Sequence, residues 1–556
     1  MKKSSAISAS DKFQLQLSFL VKYLSIGAFL ITIGIFGSTN YDPIGVPKLY
    51  ILSFFSFSGL GIYLIQNHGL QFNRFRNIRK YDLAIIAFIA LLILNVAINH
   101  QMIDERLFGV SSRNTGLITL LGFIIYALLF SRTHSGSQIK FVLQTMFWAS
   151  FVVSIYFIFQ LAGMDIFLID NYYGAPSSTL GNPNFVSGFI GFSALTPLAL
   201  YSVTKRRFWF ATSILMIPLH LFVIIKTNSI QGIFAFATTC VVGMFIFISK
   251  RYRKTTIPLL ILLAIGFMLI LLGIMDKGPL ASILHKSSLF SRFDYWRAAI
   301  SMTLHRPFFG VGMDAFGDYY PKFRDIDAFN RFAGSQSSDT PHNVPLDYFA
   351  SGGIPLGLLF LFIQVMPIIF LIREQLKTSE IKFERLALIS LFAGYFTQSL
   401  VSPNQIGVSI WGWILSALSF SLVSPNDLRN MKMVRSSVNL TLGLIFILLS
   451  PFISLPPLLK DHQFLVAAKK ADGQQIIAIA QSWPRDTKRF IMTESGLTNG
   501  GYHALAKKVI LKALDHNPNS FALWKALKEN KVSTLVEIQR AYKEMSRLDP
   551  LWKEKN

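Results

Sequence analysis

The stretch SSDTPHNVPLDYFASGGIPLGLLFLFIQ, residues 337–364, sets a polar cluster against the start of a long apolar run. His342 stands at that border. An imidazole there can accept a proton from a hydroxyl or orient one, provided it is neutral near pH 7. The next residues favour that state. Asn343 is an N-cap by type, and Pro345 is tolerated in a first helical turn. A helix N-terminus carries partial positive charge, which disfavours imidazolium and attracts phosphate. A lone histidine is more often an ordinary loop residue than a catalyst. The setting of His342 argues otherwise, because arginines gather in the same segment.

Upstream, SRFDYWRAAISMTLHRPFFGVGMDAFGDYYPKFR (291–324) opens with a helical pattern. Arg292 and Trp296 are four apart and share one face. A Trp at headgroup level suits a helix lying on a membrane surface. RPFFGVG (306–312) then reads as a turn more readily than as a phosphate cradle. FGVSSRNTGL (108–117) puts Arg113 at a membrane border, where it snorkels to headgroups or grips a lipid-linked phosphate with its planar fork. TLGNPNFVSGF (179–189) offers Asn182 and Asn184 at a turn and helix cap. KTNSIQGIFAF (226–236) places Ser229 and Gln231 at the end of two apolar runs. Two acidic pairs, Asp104-Glu105 and Asp325/Asp327, have the spacing for Mg²⁺ or Mn²⁺, but short acidic pairs are common in loops. No Cys or His cluster has zinc spacing, and neither a metal nor a cofactor is expected.

These residues need elements to hold them, and composition says which. The chain has 556 residues, 52% hydrophobic and only 15% charged, against about 25% charged in a soluble protein. Mean hydropathy is +0.46. Thirteen apolar runs recur, at 18–37, 46–66, 81–99, 114–131, 141–163, 184–203, 208–226, 231–249, 256–275, 347–372, 386–402, 406–423 and 438–456. Each approaches the ~20 residues that cross a bilayer as a helix. The first is expected to be retained, since no small-residue cleavage site follows it. The lone Cys240 can form no intrachain disulfide. A net charge of +24 would suggest nucleic acid in a soluble protein. Here Lys and Arg concentrate in alternate short loops, at 74–80, 204–208, 250–254 and 429–435, while loops near 38–45, 164–183 and 403–405 have none. That alternation is a topology signal, with no nucleic-acid partner implied.

The reading is an all-α polytopic membrane bundle of about 12–13 spans. Its parts are N-terminal transmembrane helices (1–275), a large extracytoplasmic loop (276–346), C-terminal transmembrane helices (347–456) and an extracytoplasmic helical domain (457–556). In the last, 501–527 and 534–552 have helical spacing followed by Asn-Pro or Asp-Pro, which is tetratricopeptide-like or simply a helical cap.

SSRNTGL, GNPNFVSGF, TNSIQGIFAF, RFDYWRAAISMTLHRPFFGVGMDAF and PHNVPLDYFASGGIPLGLLF, in that order, resemble the O-antigen ligase and O-antigen polymerase superfamily of membrane glycosyltransferases. The resemblance implies transfer of a glycan from a polyprenyl-pyrophosphate carrier to a hydroxyl of a glycan, lipid or protein acceptor. It places the reaction on the outer face of the cytoplasmic membrane, without a metal. It implies that His342 activates or orients the acceptor hydroxyl, that Asn343 orients His342, and that Arg292 and Arg113 hold pyrophosphate. Asn182, Asn184, Ser229, Gln231 and Trp296 are the further substrate-binding candidates. One departure stands out: many members have an arginine after the serine where this chain reads SIQG. The alternatives are a transporter or flippase of envelope polysaccharide precursors and an envelope scaffold. A transporter usually carries mid-membrane charges and repeat symmetry, neither evident here.

Overall fold

The computed structural model describes residues 9–66, 80–99, 102–132, 136–168, 173–284, 287–331, 338–423 and 437–552. The basic loops at 74–79 and 429–435 lie outside the described residues. Among those described, the structure is helical without strands. The first block comprises α1 (Ala9–Ile33), α2 (Gly45–Ile65), α3 (Lys80–Ile98), α4 (Ile103–Phe108), α5 (Leu117–Phe130) and α6 (Gly136–Leu161). It continues with α7 (Pro183–Ser193), α8 (Thr196–Thr204), α9 (Arg207–Lys226), α10 (Ile230–Arg251) and α11 (Thr256–Ile274). Helices α12 (Ala281–Leu284), α13 (Ser287–His305), α14 (Phe316–Phe323) and α15 (Ile326–Arg331) follow. Then come α16 (Val344–Lys377), α17 (Phe383–Ser399), α18 (Ile406–Val423) and α19 (Ser437–Leu449). The C-terminal helices are α20 (Leu455–Lys469), α21 (Gly473–Gln481), α22 (Thr487–Asn499), α23 (His503–His516), α24 (Phe521–Glu529) and α25 (Leu535–Leu548).

Every expected span coincides with a helix, but among the described residues only ten are long and apolar enough to cross a membrane. The runs at 114–131, 386–402 and 438–456 become helices of 14, 17 and 13 residues. Backbone chemistry explains two of these differences. Ser112 and Asn114 sit at positive φ, so α5 cannot begin before Gly116 caps it. Past Leu449 the chain turns and restarts at Leu455 with prolines in the first turn of α20.

The bundle is apolar on both sides of its packing. α18 is its axis, with Trp411 and Trp413 almost fully buried, and it packs on α16, α5 and α17. Gly412 allows this approach, because a Cβ there would lie 2.0 Å from the Tyr395 ring. The outward faces expose Leu83, Ile93, Leu215, Ile257 and Phe267. Apolar surface on that scale needs hydrocarbon around it, and the chain is a multi-pass membrane protein.

Two features position the site. The first is a break in α16. Gly353 has φ 79° and ψ 178°, so a short half-helix, 344–352, precedes the long span. The carbonyls of Ala350 and Ser351, freed at the break, accept from Val311 and Gly312 N–H at 2.9 and 3.0 Å. Ile354 N–H donates to Pro307 at 2.7 Å. Gly310 (φ 62°) and Gly353 let the strands of backbone touch, since a Cβ on either would lie within 2.6 Å of the opposing chain. The glycines of RPFFGVG thus serve backbone contact, as the turn reading holds. Buried Asn95 of α3 fixes the junction, donating to Phe309 and Ser351 carbonyls at 2.6 and 2.9 Å.

The second feature is a seam between α22 and the segment 104–112. Asp104 accepts from Arg485 N and Nε at 2.8 and 2.7 Å. Glu105 accepts from Thr487 N at 2.6 Å. Asp486 caps α22 through Arg489 N and takes Ser111 N–H with its other oxygen at 2.8 Å. Farther along, Arg324 and Asp549 form a buried ion pair. The C-terminal helices pack on one another in chain order around Phe490, Val509, Trp524 and Met545.

Candidate active site

The α16 half-helix starts as its residue types require. Asn343 Oδ1 accepts from Leu346 N at 2.9 Å, and Pro345 lies in the first turn. Asn343 Nδ2 donates to the Leu400 carbonyl at 2.9 Å, tying the half-helix to the end of α17. Both of these bonds point away from His342: here Asn343 caps the half-helix and ties it to α17. Thr340 contacts the imidazole. His342 Nδ1 lies 3.2 Å from the Thr340 carbonyl, and the Thr340 hydroxyl accepts from the His342 backbone N–H at 3.3 Å. A carbonyl only accepts, so this bond puts the proton on Nδ1 and the basic lone pair on Nε2. The ring also packs against Tyr295 of α13, centroids 5.5 Å apart. His342 has φ 52°, held by these contacts on either side.

His342 lines a cavity of about 360 Å³. Around it stand Arg113 from the loop before α5, Arg292 from α13, Asn182 and Asn184 at the start of α7, and Gln231 at the start of α10. Five scattered motifs therefore converge. Asn182 caps α7, its side chain accepting from Asn184 N at 2.8 Å. Gln231 Nε2 donates to Gln398 Oε1 at 2.9 Å. Besides the capping Asn343, two candidates fall outside the cavity lining. Ser229 is buried behind it, its carbonyl accepting from Ser187 at 3.2 Å. Trp296, one turn beyond Arg292, faces a separate crevice with Phe293 and Arg297. Helical twist places Trp296 near the Arg292 face, but the cavity ends before reaching it.

The cavity is cationic. Lys48, Arg113, Arg292 and Lys488 line it against the carboxylates Asp42 and Asp339. Arg113 grips Asp339 through both Nε and a terminal nitrogen at 2.9 and 2.6 Å. Burial opposes ionisation of both, but each charge outweighs it for the other: Asp339 is held below the usual carboxylate range and Arg113 is raised. Arg292 has no ion-pair partner among the described residues, and burial lowers its pKa. His342 is pushed down to about 4, first by burial and then by the Arg113 guanidinium, with Arg292 adding to it and the Thr340 bond opposing. The imidazole is therefore neutral at pH 7. Lys48 has spent its protons: Nζ donates to the carbonyls of Ile31, Thr32 and Gly34 at the end of α1 at 2.8, 2.8 and 3.1 Å. Asp42 turns the chain into α2, accepting from Ile44 and Gly45 N–H.

Residues 211–361 match the O-antigen ligase family. The matched stretch carries Gln231, Arg292, His342 and Asn343 and ends within α16. It supports assigning the chain to that family, which implies a glycosyltransferase-type activity. Arg113, Asn182, Asn184 and Lys488 reach the same cavity from outside the match. No curated protein matches the chain.

Three site residues escape sequence reasoning: Asp339, Thr340 and Lys488. Asp339 and Thr340 lie in the stretch that carries His342, and a Thr two residues before a His is a local bonding signal. Lys488 gives no local signal, because only the folded seam carries it to Arg113. Three of the four carboxylates in the acidic pairs read as metal candidates have protein partners. Asp104 and Glu105 bind α22, and Asp325 accepts from Arg297 and from Ala328 N at the start of α15.

Proposed function

We propose that this protein transfers a glycan from a polyprenyl-pyrophosphate carrier to an acceptor hydroxyl at the outer face of the cytoplasmic membrane. The observation that carries the reading is a neutral imidazole beside two guanidiniums in one cavity at the end of membrane helices. The acceptor O–H gives its proton to His342 Nε2 as its oxygen bonds to the anomeric carbon of the donor sugar. The bond from that carbon to the pyrophosphate oxygen breaks, and the leaving polyprenyl pyrophosphate carries the electron pair. Arg292 and Arg113 stabilise the charge that develops there. Asn182, Asn184 and Gln231 supply neutral hydrogen-bonding groups suited to sugar hydroxyls. A donor with a long apolar tail explains a polar site at the border of the bilayer. The helical C-terminal region, read as tetratricopeptide-like, would offer an acceptor a docking arm on the same side.

His342→Ala tests the reading in cells. Transfer should fall by about 10²–10⁴-fold, the usual worth of a general base. Membrane insertion should be unchanged, and the lipid-linked donor should accumulate. Normal transfer would remove His342 from the chemistry. Movement of the donor across the bilayer without a new glycosidic bond would favour the transporter reading.

A further inference from the structure

The cavity holds a cation that no motif assigned. Lys488 is the second residue of α22, in the C-terminal domain, yet it lines the space shared by His342, Arg113 and Arg292. Its Nζ donates to the Ser111 carbonyl at 3.0 Å and to Ser112 Oγ at 2.7 Å. An ammonium has three protons. Those two bonds leave one for a ligand, whereas Lys48, which also lines the cavity, has three carbonyl acceptors for three protons. The position is firmly built. Arg485, Asp486 and Thr487, the three residues before Lys488, each bond to the segment 104–111. The segment they grip runs directly into Arg113. The wall at Gln231 is neutral, with Gln231 bonded to Gln398.

We infer that the C-terminal domain completes the active site, with Lys488 acting as a third cation on the donor's pyrophosphate. This rests on the pyrophosphate reading above. A diphosphate carries several anionic oxygens, and two guanidiniums, one already paired with Asp339, leave part of that charge uncovered. A point charge that still has a free proton suits the remaining oxygen.

The test uses the full chain in detergent micelles, titrated with inorganic pyrophosphate and with farnesyl pyrophosphate, by calorimetry. Lys488→Gln should weaken binding about tenfold, the worth of one charge-assisted hydrogen bond. Lys488→Arg should stay within about threefold of the native chain, and Ser112→Ala should bind normally. Ser112→Ala matching Lys488→Gln would show that the lysine only pins the loop, and would overturn the proposal. So would unchanged binding by Lys488→Gln. If binding is lost in Arg113→Gln and Arg292→Gln but kept in Lys488→Gln, only this inference falls. If all three bind normally, the pyrophosphate reading falls with it. A measurement on the native chain guards against misfolded variants. Bound pyrophosphate should protect Lys488 from acetylation as read by mass spectrometry, and equal labelling with and without it would contradict the role.

Discussion

At the scale of single residues, the decisive property is the low basicity of His342. Two guanidiniums and burial hold it neutral far below pH 6.5, which also makes it a weak base in the empty cavity. The donor changes this. On the proposed reading, a diphosphate beside Arg113 and Arg292 would offset their field, so the imidazolium form would become less costly and the pKa would rise, with the burial contribution remaining. The acid limb of kcat, which reports the loaded enzyme, should therefore lie at higher pH than the limb of kcat/KM, which reports the free one. Coincident limbs would contradict this electrostatic account. The sign for stability is opposite in sense. With its folded pKa depressed, His342 costs nothing above pH 6.5 and destabilises the fold progressively as pH falls from there toward 4. Much of this residue-scale picture was legible in the sequence, because Asn343, Pro345 and the helix start act within one turn. The Arg113–Asp339 pair was not, since its members are 226 residues apart and nothing local links them. The cap at Asn343 was legible in the sequence, whereas the contact of Thr340 with the imidazole was not read from it.

At the scale of elements, the site depends on a helix that is broken on purpose. The half-helix at the start of α16 aims its N-terminus at the cavity, and the break lets the chain after α13 bond to it. Gly353→Ala should be destabilising by about 1–3 kcal/mol from the positive φ alone. The close approach of Phe308 and Pro307 adds to that cost. Thermal unfolding in detergent reads the loss, and glycan transfer should fall with it as the half-helix shifts. Asn343→Ala, which removes a cap, should cost about 1 kcal/mol, and Asn343→Asp should keep the cap but lose the bond to the Leu400 carbonyl, to which a carboxylate cannot donate. Equal stability of native and alanine forms would show that the cap is idle. The periodicity put helix under each of the thirteen runs, two helices under 184–203, but overextended α5 and the run ending at 456. Hydropathy does not register the positive φ at Asn114 or the turn after Leu449, where backbone geometry ends a helix while the side chains stay apolar.

At the scale of the whole molecule, a hydrogen-bonded seam joins the membrane bundle to the C-terminal helices. The seam from Arg485 to Lys488 lies against the loop that holds Arg113, so the C-terminal helices and the cavity lie at the same end of the bundle. Arg251 ends α10, whose other end begins at the cavity with Ile230. A helix of 22 residues spans about 33 Å, enough to put the two ends in different compartments. In a chain with Cys240 replaced, single cysteines at Lys508 and at Arg251 should therefore label from opposite sides. Labelling from one side would overturn the topology. The helical character of residues 457–556 was readable from residue spacing. Their place at the active site was not, because it depends on contacts between segments nearly 400 residues apart.

The most direct measurement is the single-turnover rate of glycan transfer by the full chain in liposomes, with saturating lipid-linked donor, for the native protein and His342→Gln. The account predicts a fall of at least about a hundredfold in the rate, with donor affinity changed little. A variant that transfers at the native rate would contradict it.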